Sequence, residues 1–448
     1  MYQGRQSHAD RGITEFMSRK DKKTMSIFPN KKYKRITDKK HRNLLTLLCA
    51  GIYFVSYMTR INYKAVLSAI IESEGITKAD ASLALTGLFI VYGIGQLVSG
   101  WLGDRVKPKY LIGAGLLLAT AMNILLPLKT DKIYMLVVWS VNGFGQAMMW
   151  PPIVRTLNDY LSGDDYVFAA VKVSWGSCFA TILVYLLVPA LLNITGWKSI
   201  FYICSVFGAV GAVVSFAALG YFENYSLKYG TDMDKPDIKA EEKTVSAPKL
   251  LRSDWVLVIL IWFVIVLQGA LRDGVDSWMP TYLSENFGVA TWVAIMTGVL
   301  LPLATLVFYR IATLISEKIF KDEFISSAVF FGFSALVCIG LLGARRLEGC
   351  AWLSVACFVL IVGTMHGINM ILTGIIPRAY RKYGNVSFIS GVLNCGTYVG
   401  SAIFTWGIAA LSESAGWDIT IISWALISLA GLAFCFALKP VWMKFKKK

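Results

Sequence analysis

Arg60 and Lys64 lie in the stretch Tyr53-Phe-Val-Ser-Tyr-Met-Thr-Arg60-Ile-Asn-Tyr-Lys64, inside an apolar run that is long enough to cross a bilayer. A charge at the bilayer centre costs about 2.5–3.5 kcal/mol on insertion scales, so an ionisable residue kept there marks a functional site by default. At about 100° per residue, Tyr53, Tyr57, Arg60 and Lys64 share one helical stripe. A polar, cationic and aromatic stripe of this kind suits the wall of a water-filled cavity that attracts anions. A second arginine stands in Gln268-Gly-Ala-Leu-Arg272-Asp-Gly-Val-Asp276-Ser-Trp-Met-Pro280, again in apolar surroundings. Two guanidinium groups facing each other across a cavity can grip a phosphate or carboxylate bidentately, and arginine stays charged throughout. The same stretch leaves a second reading, in which Arg272 merely pairs with Asp273 or Asp276. Lys64, about 6 Å beyond Arg60 along the axis, either adds to the binding field or snorkels toward the outer surface.

The elements that must hold these residues follow from composition. The 448 residues are 56% hydrophobic and only 16% charged, with a mean hydropathy of +0.58; a soluble domain carries about 25% charged residues. The chain therefore reads as an all-α integral membrane protein. Its net charge of +16 does not point to nucleic acid, because the basic residues gather in the N-terminal tail, the short loops and the last ten residues. That is the bias of cytosolic segments. The first 43 residues lack the apolar core and small-residue site of a cleaved leader, and are expected to form a cytosolic tail that touches anionic lipid headgroups. The eight cysteines form no C-x-x-C pair and no Cys/His cluster, so they are read as packing residues, with no metal site and no cofactor. No nucleophile–base set or phosphate-cradling glycine loop is present; catalytic residues, and hence an enzyme, are not expected.

Twelve apolar segments can be counted, at roughly 44–71, 81–102, 110–128, 132–157, 167–192, 198–222, 254–283, 290–314, 324–343, 348–376, 387–412 and 416–439. The longest polar interruption, 223–253, divides six from six. The expected organisation is thus a basic cytosolic tail (1–43), a six-helix half (44–222), a cytosolic linker (223–253), a second six-helix half (254–440) and a basic cytosolic tail (441–448). With both termini inside, about 34 of the lysines and arginines fall on the cytosolic side. The outer loops hold Lys78, Lys129, Lys132, Lys198, Arg345 and Arg346. This predicts a multi-pass protein of the cell membrane with both termini cytosolic. The halves echo each other: Gly196-Trp197 and Gly416-Trp417 open segments six and twelve, 220 residues apart, and Gly176 and Gly396 share that offset. Arg60 and Arg272 are 212 apart. A parallel duplication places the substrate site between the halves, near the midplane.

The loop after segment two, Gly100-Trp-Leu-Gly-Asp104-Arg105-Val-Lys107-Pro108-Lys109, resembles the major facilitator signature G-x-L-a-D-R-x-G-R-R, with Lys107 where a glycine is usual. Asp104, Arg105 and Arg155 are the expected gating residues, Asp104 meeting a helix N-terminus or Arg155; a plain topogenic basic loop is the other reading. Arg60-x-Asn62-Tyr63, Gln146-Ala-Met-Met-Trp150-Pro-Pro-Ile-Val-Arg155 and Arg272-x-Gly274…Trp278-x-Pro280-x-Tyr282-Leu together look like the organophosphate:phosphate antiporter family, over essentially all of 44–440. That resemblance implies that Arg60 and Arg272 are paired phosphate-binding arginines. It also implies that Tyr53, Tyr57, Tyr92, Trp150 and Tyr398 line the cavity. Gln96 stands where glycerol-phosphate transporters carry a lysine, and Cys178 where they carry a histidine, which turns the expectation away from glycerol phosphate but keeps the phosphate-ester class. His366, the one histidine within the apolar segments, is either a satisfied packing residue or a substrate or proton contact.

The expected activity is exchange of an organic phosphate for inorganic phosphate by alternating access, in a monomer. Two like charges facing each other in the empty carrier would disfavour closure without an anion. The alternatives are a proton-coupled carboxylate carrier using Asp273 or Asp276, and a non-transporting sugar-phosphate sensor.

Overall fold

The structure, a computed structural model, describes residues 34–103, 105–231, 251–347, 350–383 and 386–447. It is built almost wholly of helices. In chain order these are α1 (Lys39–Glu74), α2 (Lys78–Gly103), α3 (Pro108–Leu125), α4 (Lys132–Ala147), α5 (Trp150–Tyr160), α6 (Gly163–Tyr229) and α7 (Arg252–Phe287). There follow α8 (Thr291–Thr297), α9 (Leu300–Leu314), α10 (Glu323–Arg345), α11 (Ala351–Asn369), α12 (Val386–Ser414) and α13 (Gly416–Lys447).

Local chemistry sets where these helices begin and stop. Asp38 caps α1 by accepting from the His41 amide, and hydrogen bonding from His41 holds the Asp38 carboxyl below its usual range. Gly75, at φ 64°, closes the same helix. Asp131 and Asp322 cap α4 and α10 in the same way as Asp38. Pro151 and Pro152 lie in the first turn of α5, where missing amide donors do no harm, so the rod formed by α4 and α5 breaks just before Trp150. Gly196 (φ 72°, ψ 172°) divides the long α6 into two helices, and Gly416 (φ 79°) opens α13.

Among the described residues nine helical stretches are long and apolar enough to cross a membrane. One of the nine, Phe168–Tyr229 in α6, holds both 167–192 and 198–222; of the other expected segments, 132–157 falls on α4 and α5 and 387–412 on α12. The sixth segment runs on as helix to Tyr229, beyond the expected boundary at 222. Large apolar side chains cover the outside: Leu47, Val206, Val213, Leu336 and Trp352 are all exposed. Polar side chains such as Asn62, Asn123, Gln146 and Gln268 are buried instead, the arrangement expected where the surroundings are lipid.

Before the linker, α1 packs on α6 and α2 on α4; after it, α7 packs on α12 and α10 on α13. The two groups meet along α2 against α12 and along α6 against α8. The α7–α12 contact is backbone-close: a Cβ on Gly400 would fall 2.0 Å from the Val266 carbonyl oxygen. One detail is built twice. Trp197 Nε1 donates to Glu74 at 3.1 Å, and Trp417 Nε1 donates to Glu285 at 2.7 Å, each tying a Gly-Trp helix start to the end of the first helix of its own group.

The two ends of the bundle differ. At the end holding the α1–α2 turn, Lys78 Nζ pairs with Glu285 at 2.7 Å, the Lys78 amide donates to Glu413, and Thr291 donates to Glu72 at 2.7 Å. These contacts join the two groups. At the end holding residue 39 and residue 447, the pairs Arg42–Asp165, Lys107–Glu223, Arg155–Asp159 and Lys446–Glu323 each stay within one group.

Candidate anion-binding site

Arg60 sits midway along α1, 9% exposed. Its guanidinium carbon lies 4.2 Å from the ring centre of Tyr92 on α2, 5.5 Å from Tyr57 and 5.9 Å from Tyr398 on α12. Tyr53 extends the cage: its ring is 4.9 Å from Tyr57 and 5.2 Å from Trp150, and its hydroxyl is 3.4 Å from that of Tyr57. Ring faces attract a cation but leave its N–H donors unspent. Among the described residues Arg60 has no carboxylate partner. Behind it, Gln146 donates to Thr59 and accepts from Ser56, while Asn123 donates to the Thr59 carbonyl. These bonds fix the backbone turn that aims Arg60.

Arg272 occupies the matching place on α7, 8% exposed. It also reaches Tyr398, whose ring centre is 5.7 Å away, so one aromatic ring stands beside both guanidinium groups. Here a carboxylate takes two of the five N–H donors, along the Nε–Nη2 edge. Arg272 Nη2 donates to Asp273 Oδ2 at 2.6 Å and Nε to Oδ1 at 3.1 Å. Ser401 Oγ on α12 lies 2.6 Å from the same Oδ2 and 2.8 Å from the Thr397 carbonyl oxygen. The reading in which Arg272 pairs with Asp273 is thus the arrangement in this state, and the expected repulsion between two bare arginines is reduced to the charge of Arg60.

Lys64 neither stands free nor snorkels: it forms an ion pair with Asp276 of α7, linking the two groups. The other Asp276 oxygen, Oδ1, is buried without a hydrogen-bond partner. Of the expected site residues, Gln96 and His366 also carry a buried unpartnered nitrogen, Nε2 and Nδ1; the His366 ring meets Tyr309 edge-on at 6.0 Å. The structure thus brings Arg60, Arg272, Tyr53, Tyr57, Tyr92, Trp150 and Tyr398 into one connected set. Cys178 is half-buried and, like the other seven cysteines, free.

The expected gating residues fare differently. Asp104 lies outside the described residues. Arg105 folds onto Trp101, 4.0 Å from the ring centre, and donates to the Trp101 carbonyl at 2.9 Å. Arg155 donates to the carbonyl oxygens of Gly103 and Val106, the latter at 3.0 Å, and pairs with Asp159 at 3.4 Å. It braces the α2–α3 loop through the backbone.

Sequence reasoning missed the Lys64–Asp276 pair and the place of Ser401. The signal for the first was present: Lys64 and Asp276 are 212 residues apart, as Arg60 and Arg272 are. No comparable signal marks Ser401.

The Major Facilitator Superfamily profile matches residues 49–390. A probable hexose phosphate transport protein of Chlamydia muridarum is 23% identical over 418 residues, covering 87% of this chain and 88% of the relative. The glycerol-3-phosphate transporter of Bacillus subtilis is 23% identical over 405 residues (84% and 88%). The membrane sensor protein UhpC of Salmonella typhimurium is 22% identical over 394 residues (84% and 86%). In architecture the chain is similar to a bacterial homolog of the human lysosomal transporter Spinster, in its inward-facing and occupied conformation. The TM-score is 0.72 at 15% identity, over 91% of this chain and 99% of that one.

Proposed function

The chain belongs to the major facilitator superfamily, a multi-pass membrane transporter rather than an enzyme, and we propose that it exchanges an organic phosphate of the sugar- or glycerol-phosphate type for inorganic phosphate by alternating access. The observation that carries this reading is Arg60, buried in the bundle against three tyrosine rings and with its donors unspent. A phosphoryl group supplies the acceptors such a fork needs, and the rings exclude the water that would otherwise screen the pair. The likeness to hexose phosphate and glycerol-3-phosphate transporters over more than four-fifths of the chain supports the same substrate class.

In this reading twelve spans form two six-helix halves on either side of the 223–253 linker, and both termini are cytosolic. The ties at the α1–α2 end then close the outer side, while the cytosolic ends of the halves are held within themselves, which suits an inward-facing state. A substrate-loaded carrier exchanges one closed end for the other around a fixed central site. The functional unit is the monomer, in contact with membrane lipids.

The test is uptake of labelled phosphate into vesicles containing the purified protein, with and without phosphate inside. Exchange requires the internal anion; equal uptake into empty vesicles overturns it. A thermal-shift screen of phosphate esters then identifies the organic group. The likeness to the membrane sensor UhpC favours one second reading, a sensor of the same ligands. Ligand binding without flux in those vesicles would select it.

A further inference from the structure

Arg272 is the second cation of the site, yet the Nε–Nη2 edge of its guanidinium is taken by the next residue of its own helix. Adjacent residues on a helix point about 100° apart, so this contact depends on the reach of the long arginine side chain. Asp273 takes both Nε and Nη2, and Ser401 stands against the oxygen that receives Nη2. The contact is therefore bidentate and braced from α12. It presents to Arg272 what a phosphoryl group would present: two oxygens in the plane of the guanidinium. At the matching place in α1 the residue after Arg60 is Ile61, and Arg60 has only rings beside it.

We infer that Asp273 is an internal anion that occupies the Nε–Nη2 edge of Arg272 in the empty carrier and is displaced when the phosphoryl group of the substrate docks on that edge. The inference rests on the phosphate reading above. Asp273 is then a positioning residue that acts through Arg272. Because a ligand's apparent affinity falls in proportion to the fraction of protein able to bind it, a contact closed in about nine molecules in ten weakens binding about tenfold. The same contact reforms when the anion leaves, so it speeds release. A carrier that must unload as well as load gains turnover from that exchange. Asp273 also meets the charge of Arg272 while the outer side is closed, leaving Arg60 to select the anion.

The distinguishing experiment measures equilibrium binding of labelled inorganic phosphate to the purified full chain, with a thermal-unfolding scan on each variant. Asp273→Asn removes the competing charge and is expected to tighten phosphate binding about tenfold. Asp273→Glu keeps a carboxylate and stays near wild type. Should Asp273→Asn fail to fold, Ser401→Ala carries the test, with a tightening of about two- to threefold from a loosened carboxylate. Damage to the fold would weaken binding, the opposite sign. Phosphate binding that is unchanged or weaker in a folded Asp273→Asn or Ser401→Ala protein, with wild-type binding intact, overturns the inference alone. No phosphate binding by wild type or any of these variants overturns the phosphate reading beneath it.

Discussion

Arg60 and Arg272 hold matching places in the two halves, are buried to the same degree and share Tyr398, yet their surroundings are opposite in kind. Around Arg60 the protein supplies quadrupoles: Tyr92 at 4.2 Å, then Tyr57 and Tyr398. Around Arg272 it supplies a full negative charge, 2.6 Å away. Rings stabilise a desolvated cation by about 0.5–2 kcal/mol without using its hydrogen bonds, whereas a carboxylate uses both charge and donors. Of two similarly placed cations, one is thus ready for an external anion and the other is supplied with its own. The difference turns on one position: Ile61 follows Arg60 where Asp273 follows Arg272.

The largest test of the contrast lies one turn further along, where Lys64 of α1 meets Asp276 of α7. Lys64→Met leaves Asp276 as an unpaired buried carboxylate between the halves, and is expected to cost about 3 kcal/mol or more. It should lower the thermal midpoint markedly, with most of the loss recovered in Lys64→Met/Asp276→Leu. Equal midpoints for wild type and the single variant would remove this pair as a tie between the halves.

Next come the arginines themselves, assayed by transport of a phosphate ester. Arg60→Lys keeps the charge but loses the planar fork, and should weaken transport tenfold or more, about 1.4 kcal/mol. Arg272→Lys should lose less, because a lysine can still hold Asp273. Equal losses would break the comparison, and wild-type transport by both would remove the site. A smaller effect separates the rings. Tyr92→Ala should weaken phosphate binding by about 1 kcal/mol, roughly fivefold, through Arg60 alone. Tyr398→Ala reaches both arginines, so combining it with Arg60→Lys should still add a loss. Full saturation of one by the other would confine Tyr398 to Arg60.

The smallest prediction asks whether the halves are equivalent where their chemistry is repeated. Trp197→Phe and Trp417→Phe each remove one indole–carboxylate hydrogen bond. Each should lower stability by about 0.5–1 kcal/mol in chemical or thermal unfolding. Clearly unequal costs would mean that the repeat in sequence is no longer a repeat in energy.

Much of this arrangement was legible before the structure. The stripe Tyr53, Tyr57, Arg60 could be read from helical spacing because α1 runs unbroken from Lys39 to Glu74. The 220-residue echo of Gly-Trp was also legible, because a positive-φ glycine followed by a large aromatic is a local signal. The partner of Arg272 was narrowed to Asp273 or Asp276 and no further. Periodicity favours the residue a full turn away, while the actual contact depends on a side-chain rotamer and on Ser401 arriving from a helix distant in sequence. The helix α7 continues through both Gly274 and Pro280, packed against α12. The membership of Tyr92 and Tyr398 came from family likeness rather than from spacing. A lone tyrosine in an apolar run carries no sign of which cation it faces.

The Lys64–Asp276 pair has a consequence for how such a chain can be assembled. If the two halves descend from one six-helix ancestor, these positions are copies of a single residue. In a symmetric dimer of identical halves that residue would confront itself, lysine against lysine or aspartate against aspartate. Neither confrontation can be closed without a counter-ion. Opposite charges at this position require two different sequences, each written for the other, and so require the halves to be inherited as a set. The pair makes each half a poor substitute for its twin, and it offers a simple reason why swapping or duplicating either half should fail to rebuild the contact between α1 and α7.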